Sequence, residues 1–267
     1  MGQAARTLEP WTITRRHGTM LGPHAETGVG LPSSSFMAAL GLKSVVSSLE
    51  RALGECEPPP TSDPFELVLF ENVAYLASPR RRVEAFEHLK SAIGTDPKQI
   101  LGATKKALER VTAHGILKET FAEKLSACAR IALEEHGGDL GAVVRGPVEK
   151  AVKSLRRFPG IGRPGAEKIL LFAGAHPFLA PESNGLRVLV RLGFVKEAAN
   201  YAKTYEAARL PALALGTDIA TLQKAHLSLA RLGREFCKQN GPRCADCPLA
   251  KHCPSSTAKR KSSTRRR

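Results

Sequence analysis

Four cysteines near the C-terminal end of this 267-residue chain constrain its fold more than any other feature. Cys237, Cys244, Cys247 and Cys253 follow the spacing C-x6-C-x2-C-x5-C, which gathers four thiols into one short loop. Four thiolates suit either a zinc ion or an iron–sulfur cluster. Structural zinc sites usually have two Cys-x-x-Cys knuckles and this loop has one, so the spacing favours a cluster only modestly. Because no export signal precedes these cysteines, they indicate a metal site rather than disulfide bonds.

The charge of the chain points to a polyanionic partner. It contains 40 Lys and Arg against 25 Asp and Glu, a formal net charge of +15, and without the six basic residues of the last nine positions it keeps +9. A basic body is typical of nucleic-acid binding. No apolar run is long enough to span a membrane. Residues 1–35 lack the apolar core of a secretion signal. We therefore expect a cytoplasmic protein, nucleoid-associated if its source is bacterial, that is not secreted.

Apolar residues recur with a period near 3.6 through most of the chain, and no convincing strand pattern interrupts them, so the sequence predicts an all-α fold. The clearest helices are predicted over 64–77 and 120–133. The first of these has Asp63 as N-cap and Pro64 at its first position. Further helices are predicted over 83–93, 97–109, 147–157, 164–174, 184–193, 196–208 and 217–236.

Residues 148–174 predict two helices joined by the tight turn Phe158-Pro159-Gly160-Ile161-Gly162-Arg163. Its two glycines allow a backbone turn with N–H groups pointing outward, beside the positive end of the second helix dipole. Such donors bind backbone phosphate without reading bases. Pro-Gly-x-Gly alone also fits a simple helix connector, but the basic flanks and the overall charge favour DNA.

These segments carry a family resemblance. Residues 158–166 resemble the helix-hairpin-helix of the endonuclease III superfamily of DNA glycosylases, and Ser183-Asn184-Gly185-Leu186-Arg187-Val188 resembles the start of that superfamily's next helix. The likeness extends from about Leu42 to Cys253. The cysteine spacing matches the superfamily's [4Fe–4S] loop at all four positions. The resemblance implies a two-lobed, all-α glycosylase fold with a C-terminal iron–sulfur cluster loop.

The resemblance also implies a domain organisation. We expect a disordered leader over 1–35 and a helical barrel domain over 60–175 that includes the hairpin. A second lobe would combine 36–59 with 176–254, including the cluster loop 237–253, and a basic disordered tail would cover 255–267. The implied partner is double-stranded DNA with a damaged or mismatched base, bound between the lobes of a monomer. Contacts to DNA are expected from Gly160, Ile161, Gly162, Arg163, Lys238 and Arg243, although a solvated basic loop is the alternative for the last two.

One catalytic position departs from the family pattern. In bifunctional members, a lysine two residues beyond the second glycine attacks the sugar C1′ and forms a Schiff base. This chain has Pro164 there, so lyase chemistry from that position is excluded. Lys168, one helical turn later, is the alternative amine.

Two carboxylates and an apolar residue complete the implied site. Glu182 occupies the position of the family's catalytic aspartate, one methylene longer, and it could instead cap the following helix. Glu71 falls where adenine-specific mismatch glycosylases keep a catalytic glutamate. Burial in an apolar helix would raise the pKa of Glu71 and suit this carboxyl group to protonate a departing base. The alternatives are that Glu71 is exposed or forms a structural ion pair. Leu76 falls at the position where relatives have a glutamine that fills the gap left by a flipped base. An apolar side chain can fill the same gap.

These features favour a monofunctional DNA glycosylase, with the excised base unidentified. Two alternatives remain open. Both departures from the catalytic pattern, at Pro164 and Glu182, would also fit a DNA-binding homologue without catalytic activity. A bifunctional glycosylase and lyase that uses another lysine is the third hypothesis.

Overall fold

The computed structural model describes residues 41–74 and 76–257, which form helices and turns and contain no strand. The predicted all-α fold is confirmed. Thirteen α-helices lie within this part of the chain, in the order α1 Leu42–Leu53, α2 Pro64–Val73, α3 Pro79–Ala92, α4 Pro97–Gly102, α5 Lys105–Thr112, α6 Lys118–His136, α7 Gly141–Arg145, α8 Val148–Leu155, α9 Arg163–Phe172, α10 Ser183–Arg191, α11 Tyr201–Ala207, α12 Arg209–Ala212 and α13 Ile219–Glu235. The predicted leader lies outside the described residues, as does most of the predicted tail. The division into two lobes stays a prediction.

Helix α2 begins as its sequence predicts but ends early. The Asp63 side chain accepts hydrogen bonds from the amides of Phe65 and Glu66, and Pro64 is the first helical residue. The helix stops at Val73 rather than at residue 77, because Ala74 leaves the helical conformation with φ −150° and ψ 61°. Leu76 then adopts a positive φ of 65°, which is rare for a residue with a side chain.

The helix predicted over 97–109 is wrong in one respect, because two helices occupy this range. Ala103 is extended between them, with ψ 143°. Thr104 then caps α5 by accepting a hydrogen bond from the amide of Ala107. The remaining predicted helices are present with shifted ends, and the largest shift is at α11, which begins at Tyr201 rather than at residue 196.

One cluster of buried apolar side chains extends from α1 to the segment after α13. Helices α10 and α13 approach closely within it: a Cβ on Gly233 would lie 2.5 Å from the carbonyl oxygen of Asn184. Only glycine fits there, and this contact brings Arg234 beside the start of α10. None of the described helices is long and apolar enough to cross a membrane.

A buried carboxylate joins α9 to α11 and α12. The Glu167 side chain is 2% exposed and accepts hydrogen bonds from the Tyr205 hydroxyl at 2.6 Å and Arg163 Nε at 2.9 Å, and it also pairs with Arg209. Removing one member of a buried ion pair leaves the other charges uncompensated. We therefore expect Glu167→Ala to lower the free energy of unfolding by about 3 kcal/mol, measured by urea denaturation.

Glu206 provides the control for this prediction. It pairs with the same Arg209 at 2.8 Å, but its side chain is 60% exposed. Glu206→Ala should cost about 0.5 kcal/mol, as exposed pairs do. Equal losses in the two variants would show that burial of Glu167 does not increase the contribution of its ion pairs to the free energy of unfolding.

Candidate active site

A cavity of about 1060 Å³ opens between residues of α2, α3, α9, α10 and α13. Its lining includes the predicted site residues Glu71, Leu76 and Glu182. Lys168 and His226 lie in the same lining. Side chains separated by more than 150 residues in the chain thus meet around one space, which is the candidate site.

Glu71 is ion-paired in this cavity. Lys168 Nζ donates to Glu71 Oε2 at 2.6 Å, and the two side chains are 16% and 17% exposed. Arg82 Nη1 lies 3.8 Å from the other carboxylate oxygen, and its guanidinium stands 5.7 Å from the centre of the Phe70 ring. These surroundings match the ion-pair alternative rather than an unpaired carboxyl. The catalytic role of Glu71 stays a prediction.

Glu182 is the N-cap residue of α10, but its side chain makes no capping hydrogen bond. One carboxylate oxygen instead accepts from Asn184 Nδ2 at 3.1 Å and from Arg234 Nη1 at 2.8 Å. Burial raises the pKa of Glu182, but the charge of Lys168, the hydrogen bond from Asn184 and the charge of Arg234 outweigh the effect of burial. The resulting pKa lies below its ordinary value. Glu182 therefore faces the cavity as a carboxylate at neutral pH.

His226 is a buried residue of α13 that supports the turn before Glu182. Its Nδ1–H donates to the carbonyl of Ala180 at 2.9 Å. Burial lowers the pKa of His226 to about 4, helped by the charge of Lys168, so the ring is neutral near pH 7. Ala180 has a positive φ of 45°, an unfavourable conformation for a residue with a Cβ. The hydrogen bond from His226 thus helps to hold a strained turn two residues before the carboxylate.

The predicted hairpin is present between α8 and α9. Gly160 has φ +73°, and the amides of Gly160, Gly162 and Gly165 have no acceptor within the described part of the chain. The Ile161 side chain is buried and its amide donates to the Phe158 carbonyl at 3.1 Å, so this amide is already satisfied. The contact of Ile161 with DNA stays a prediction. The remaining free N–H groups, at the start of α9, form a surface suited to an anion.

The Arg163 side chain is already paired within the protein. Its guanidinium donates to Glu167 at 2.9 Å and to Glu149 at 3.1 Å. The side chain is one third exposed, so contact with DNA would have to compete with these carboxylates. Its role in DNA binding stays a prediction.

The hairpin turn allows a test with a matched control. Gly160 has a positive φ, which is unfavourable for a residue with a Cβ, and a Cβ added there would lie 3.0 Å from Asn72 Oδ1. Gly160→Ala should lower the free energy of unfolding by about 1–2 kcal/mol, the cost of a left-handed residue. Gly162 has an ordinary φ of −83°, and a Cβ added to it would lie 3.8 Å from its nearest neighbour, Pro164 Cδ. Gly162→Ala should leave the unfolding free energy unchanged or slightly raised, and an equal loss in both variants would contradict this account of the turn.

Known proteins resemble this chain both in sequence and in fold. No family model matches it. It is 26% identical over 194 residues to the endonuclease III of Thermotoga maritima, an alignment that covers 72% of this chain and 83% of that protein. In fold it is similar to endonuclease III in a non-covalent complex with DNA, with a TM-score of 0.66 and 18% identity over 83% of this chain and 99% of the other. In both sequence and fold, the chain is similar to endonuclease III.

A second solved structure has the same fold. A thermostable thymine-DNA glycosylase superposes with a TM-score of 0.65 and 18% identity, over 81% of this chain and 97% of that one. The predicted resemblance to the helix-hairpin-helix glycosylases is confirmed.

The four cysteines of the predicted cluster loop form no disulfide bonds and line a second cavity, of about 240 Å³, after α13. Arg191 also lines it, with Nη1 3.4 Å from Cys237 Sγ and 2.7 Å from the carbonyl oxygen of Lys238. No group of three or more His, Cys, Asp or Glu in the described part of the chain is arranged around a single metal ion. Four thiols around one shared space are a donor set that an iron–sulfur cluster takes. The residues present therefore fit the [4Fe–4S] group that the sequence predicts.

The remaining predicted DNA contacts lie on the surface. Lys238 is exposed in the cysteine loop. Arg243, also exposed, pairs with Asp246 at 2.9 Å and stands 5.6 Å from the centre of the Phe236 ring. Leu76 is 67% exposed and lies in the lining of the large cavity. Their roles toward DNA stay predictions.

Sequence reasoning missed three residues of the site. His226 and Arg234 fit the ordinary helical pattern of α13, so no local signal separates them from core and surface positions. Asn184 belongs to the stretch that resembles the family, and its contact with Glu182 two residues earlier is the only one of the three that spacing alone could have indicated.

Proposed function

We propose that this chain is a DNA glycosylase of base-excision repair that cleaves the N-glycosidic bond of a damaged or mismatched base. The observation that carries this proposal is an ionised Glu182, fixed by Arg234 and Asn184, on the wall of a cavity of about 1060 Å³. Such a space can receive a nucleotide flipped out of the duplex. The free amides of the hairpin supply donors for backbone phosphate. The relatives named as endonuclease III and thymine-DNA glycosylase support the same conclusion.

In the proposed reaction the bond between C1′ and the base nitrogen breaks, and its electron pair leaves with the base. Glu182 stabilises the positive charge that develops on the sugar and accepts a proton from the water that attacks C1′. The departing base needs a proton. Lys168 and Glu71 form the hydrogen-bonded pair that can provide it, with the ammonium as donor.

We propose further that base removal is monofunctional. Pro164 carries no nucleophile, and it is not among the residues that line the cavity. Water, positioned by Glu182, is then the nucleophile of the base-removal step. Cleavage of the DNA strand should be much slower than loss of the base.

The other predicted residues would position the DNA. Leu76, exposed on the strained segment after α2, would enter the gap left by the flipped base. The amides of Gly160 and Gly162 would bind phosphate. A [4Fe–4S] cluster on the four cysteines would order the loop that carries Lys238 and Arg243, because ligation fixes a segment with little core of its own. We propose that the protein binds duplex DNA as a monomer.

A cleavage assay tests this proposal. Purified protein is incubated with labelled duplexes that contain an oxidised pyrimidine, uracil or thymine in a mismatch, or adenine opposite oxidised guanine. Each sample is divided and analysed with and without hot alkali. We expect one substrate to show cuts mainly after alkali, which reveals base loss without strand cleavage. Equal cutting without alkali would contradict the monofunctional mechanism, and binding without any base loss would leave a DNA-binding homologue.

A further inference from the structure

The large cavity contains a cation that the proposed reaction does not use. Arg82 lies on α3 in the cavity lining, beside Glu71. We propose that Arg82 selects the base: its guanidinium binds an exocyclic carbonyl oxygen of the flipped nucleotide, so that the substrate is an oxidised pyrimidine, uracil or thymine rather than adenine. This inference rests on the proposed function, because it names the class of base that the same cavity takes.

The exposure of the side chains orders the cavity from its mouth to its inner end. Glu182 and Arg234, where the sugar is expected, are 29% and 36% exposed. Lys168, Glu71 and Arg82 are only 16%, 17% and 21% exposed. A flipped nucleotide enters its pocket with the base ahead of the sugar. The base therefore reaches Arg82, while the phosphates stay with the duplex outside.

The Arg82 guanidinium has donors to offer to this base. Its Nε is buried and has no hydrogen-bond partner among the described residues. Its contact with Glu71 is an ion pair at 3.8 Å between Nη1 and Oε1, which is too long for a hydrogen bond. The Phe70 ring, whose centre is 5.7 Å from Cζ, offers no acceptor oxygen. Because a buried donor without a partner is costly, an acceptor that arrives with the substrate makes a strong contact here.

A guanidinium suits one class of base better than another. Arginine carries five N–H donors and no acceptor, and it keeps its proton at neutral pH. It can bind a carbonyl oxygen of uracil, thymine or an oxidised pyrimidine, whereas adenine has no carbonyl and would present its amino group donor to donor. When the bond between C1′ and the base breaks, its electron pair enters the ring and part of the negative charge reaches the carbonyl oxygen. Arg82 stabilises this charge, and the proton itself still comes from Lys168.

Binding of uncleavable nucleotides tests this inference without base removal. Duplexes carry uracil, hypoxanthine or adenine opposite guanine, each on a sugar with a 2′-fluorine that resists loss of the base. Hypoxanthine and adenine are purines of the same size that differ in a carbonyl against an amino group. A further duplex carries a tetrahydrofuran abasic analogue and gives the affinity without any base. We expect wild type to bind uracil or hypoxanthine about tenfold more tightly than adenine in a gel-shift titration, the value of one charge-assisted hydrogen bond.

Two methionine variants separate base selection from a general loss of charge. Arg82→Met keeps the apolar stem but removes the donors, so the preference for a carbonyl should disappear while affinity for the abasic duplex stays unchanged. Arg81 is the neighbouring exposed residue of α3 and is not among the residues that line the cavity, so Arg81→Met should keep the preference of wild type. Thermal unfolding shows whether Arg82→Met is folded. If it is not, Arg82→Gln takes its place, because an amide serves a carbonyl and an amino group alike.

Three results would overturn the inference: no preference of wild type for either carbonyl base over adenine, an unchanged preference in the folded Arg82 variant, or an equal loss of its affinity for every duplex, which would assign Arg82 to phosphate. Each is independent of base excision. A wild type that shows the preference but releases no base from cleavable substrates would contradict the proposed glycosylase alone. Release of adenine alone would contradict the role of Arg82 and leave the glycosylase intact.

Discussion

Replacing Glu182 with glutamine is expected to lower the rate of base removal about a thousandfold, within the range for loss of a positioned acid–base group. Glutamine keeps the size of the side chain and can still accept a hydrogen bond from Arg234, but it carries no charge to stabilise the sugar cation. It also cannot take the proton of the attacking water. Single-turnover kinetics on the cleaved substrate, with alkali treatment of each time point, measure this rate.

A matched substitution controls for a general effect of lost charge. Glu197 is exposed, and no contact of its side chain joins it to the cavity. Glu197→Gln should cleave as wild type does, and both variants should bind the duplex with unchanged affinity in a gel-shift titration. A Glu182→Gln variant with wild-type kinetics would remove this residue from the proposed mechanism, whereas loss of binding would assign it to DNA contact.

Replacing Cys247 with serine should remove the metal and disorganise the cysteine loop. We expect iron to fall to background in elemental analysis of the purified variant, because the cavity then offers three thiols rather than four. DNA affinity should fall about thirtyfold, since two phosphate contacts of about 1 kcal/mol each, from Lys238 and Arg243, lose their fixed positions.

Cys56 offers the control for this second variant. It lies outside the loop, and its thiol is partly exposed. Cys56→Ser should retain iron and DNA affinity. Full iron content in Cys247→Ser would contradict the four-cysteine ligand set. Loss of iron with unchanged DNA affinity would instead show that the cluster loop does not contact phosphate.

Local features of the sequence predicted the parts of the fold that depend on local interactions. The N-cap at Asp63, the turn around Gly160 and the cysteine loop each follow from residues that lie close together in the sequence. The early end of α2 and the break at Ala103 were missed, because apolar periodicity continues through both points. Helix ends there depend on backbone conformation that the residue pattern does not specify.

The contacts within the candidate site could be predicted from local sequence even less than the helix ends. Glu71 and Glu182, the two carboxylates that the resemblance implies, both line one cavity, but the side chains that pair with them lie far away in sequence. Lys168 pairs with Glu71 across 97 residues, and Arg234 reaches Glu182 across 52. Such pairs depend on how α9 and α13 pack against α2 and α10. Reasoning from the sequence therefore left open whether Glu71 is an unpaired proton donor or part of an ion pair, and the packed chain gives it an ion pair.

Detection of the released base distinguishes a DNA glycosylase from a protein that only binds DNA. The reaction of wild type with each duplex of the damage panel is filtered and analysed by mass spectrometry for released nucleobase, beside the alkali-labile sites in the same DNA. For one substrate we expect wild type to release free base in an amount equal to those sites, and Glu182→Gln to release almost none. Tight binding of the duplexes with no base released from any of them would contradict it.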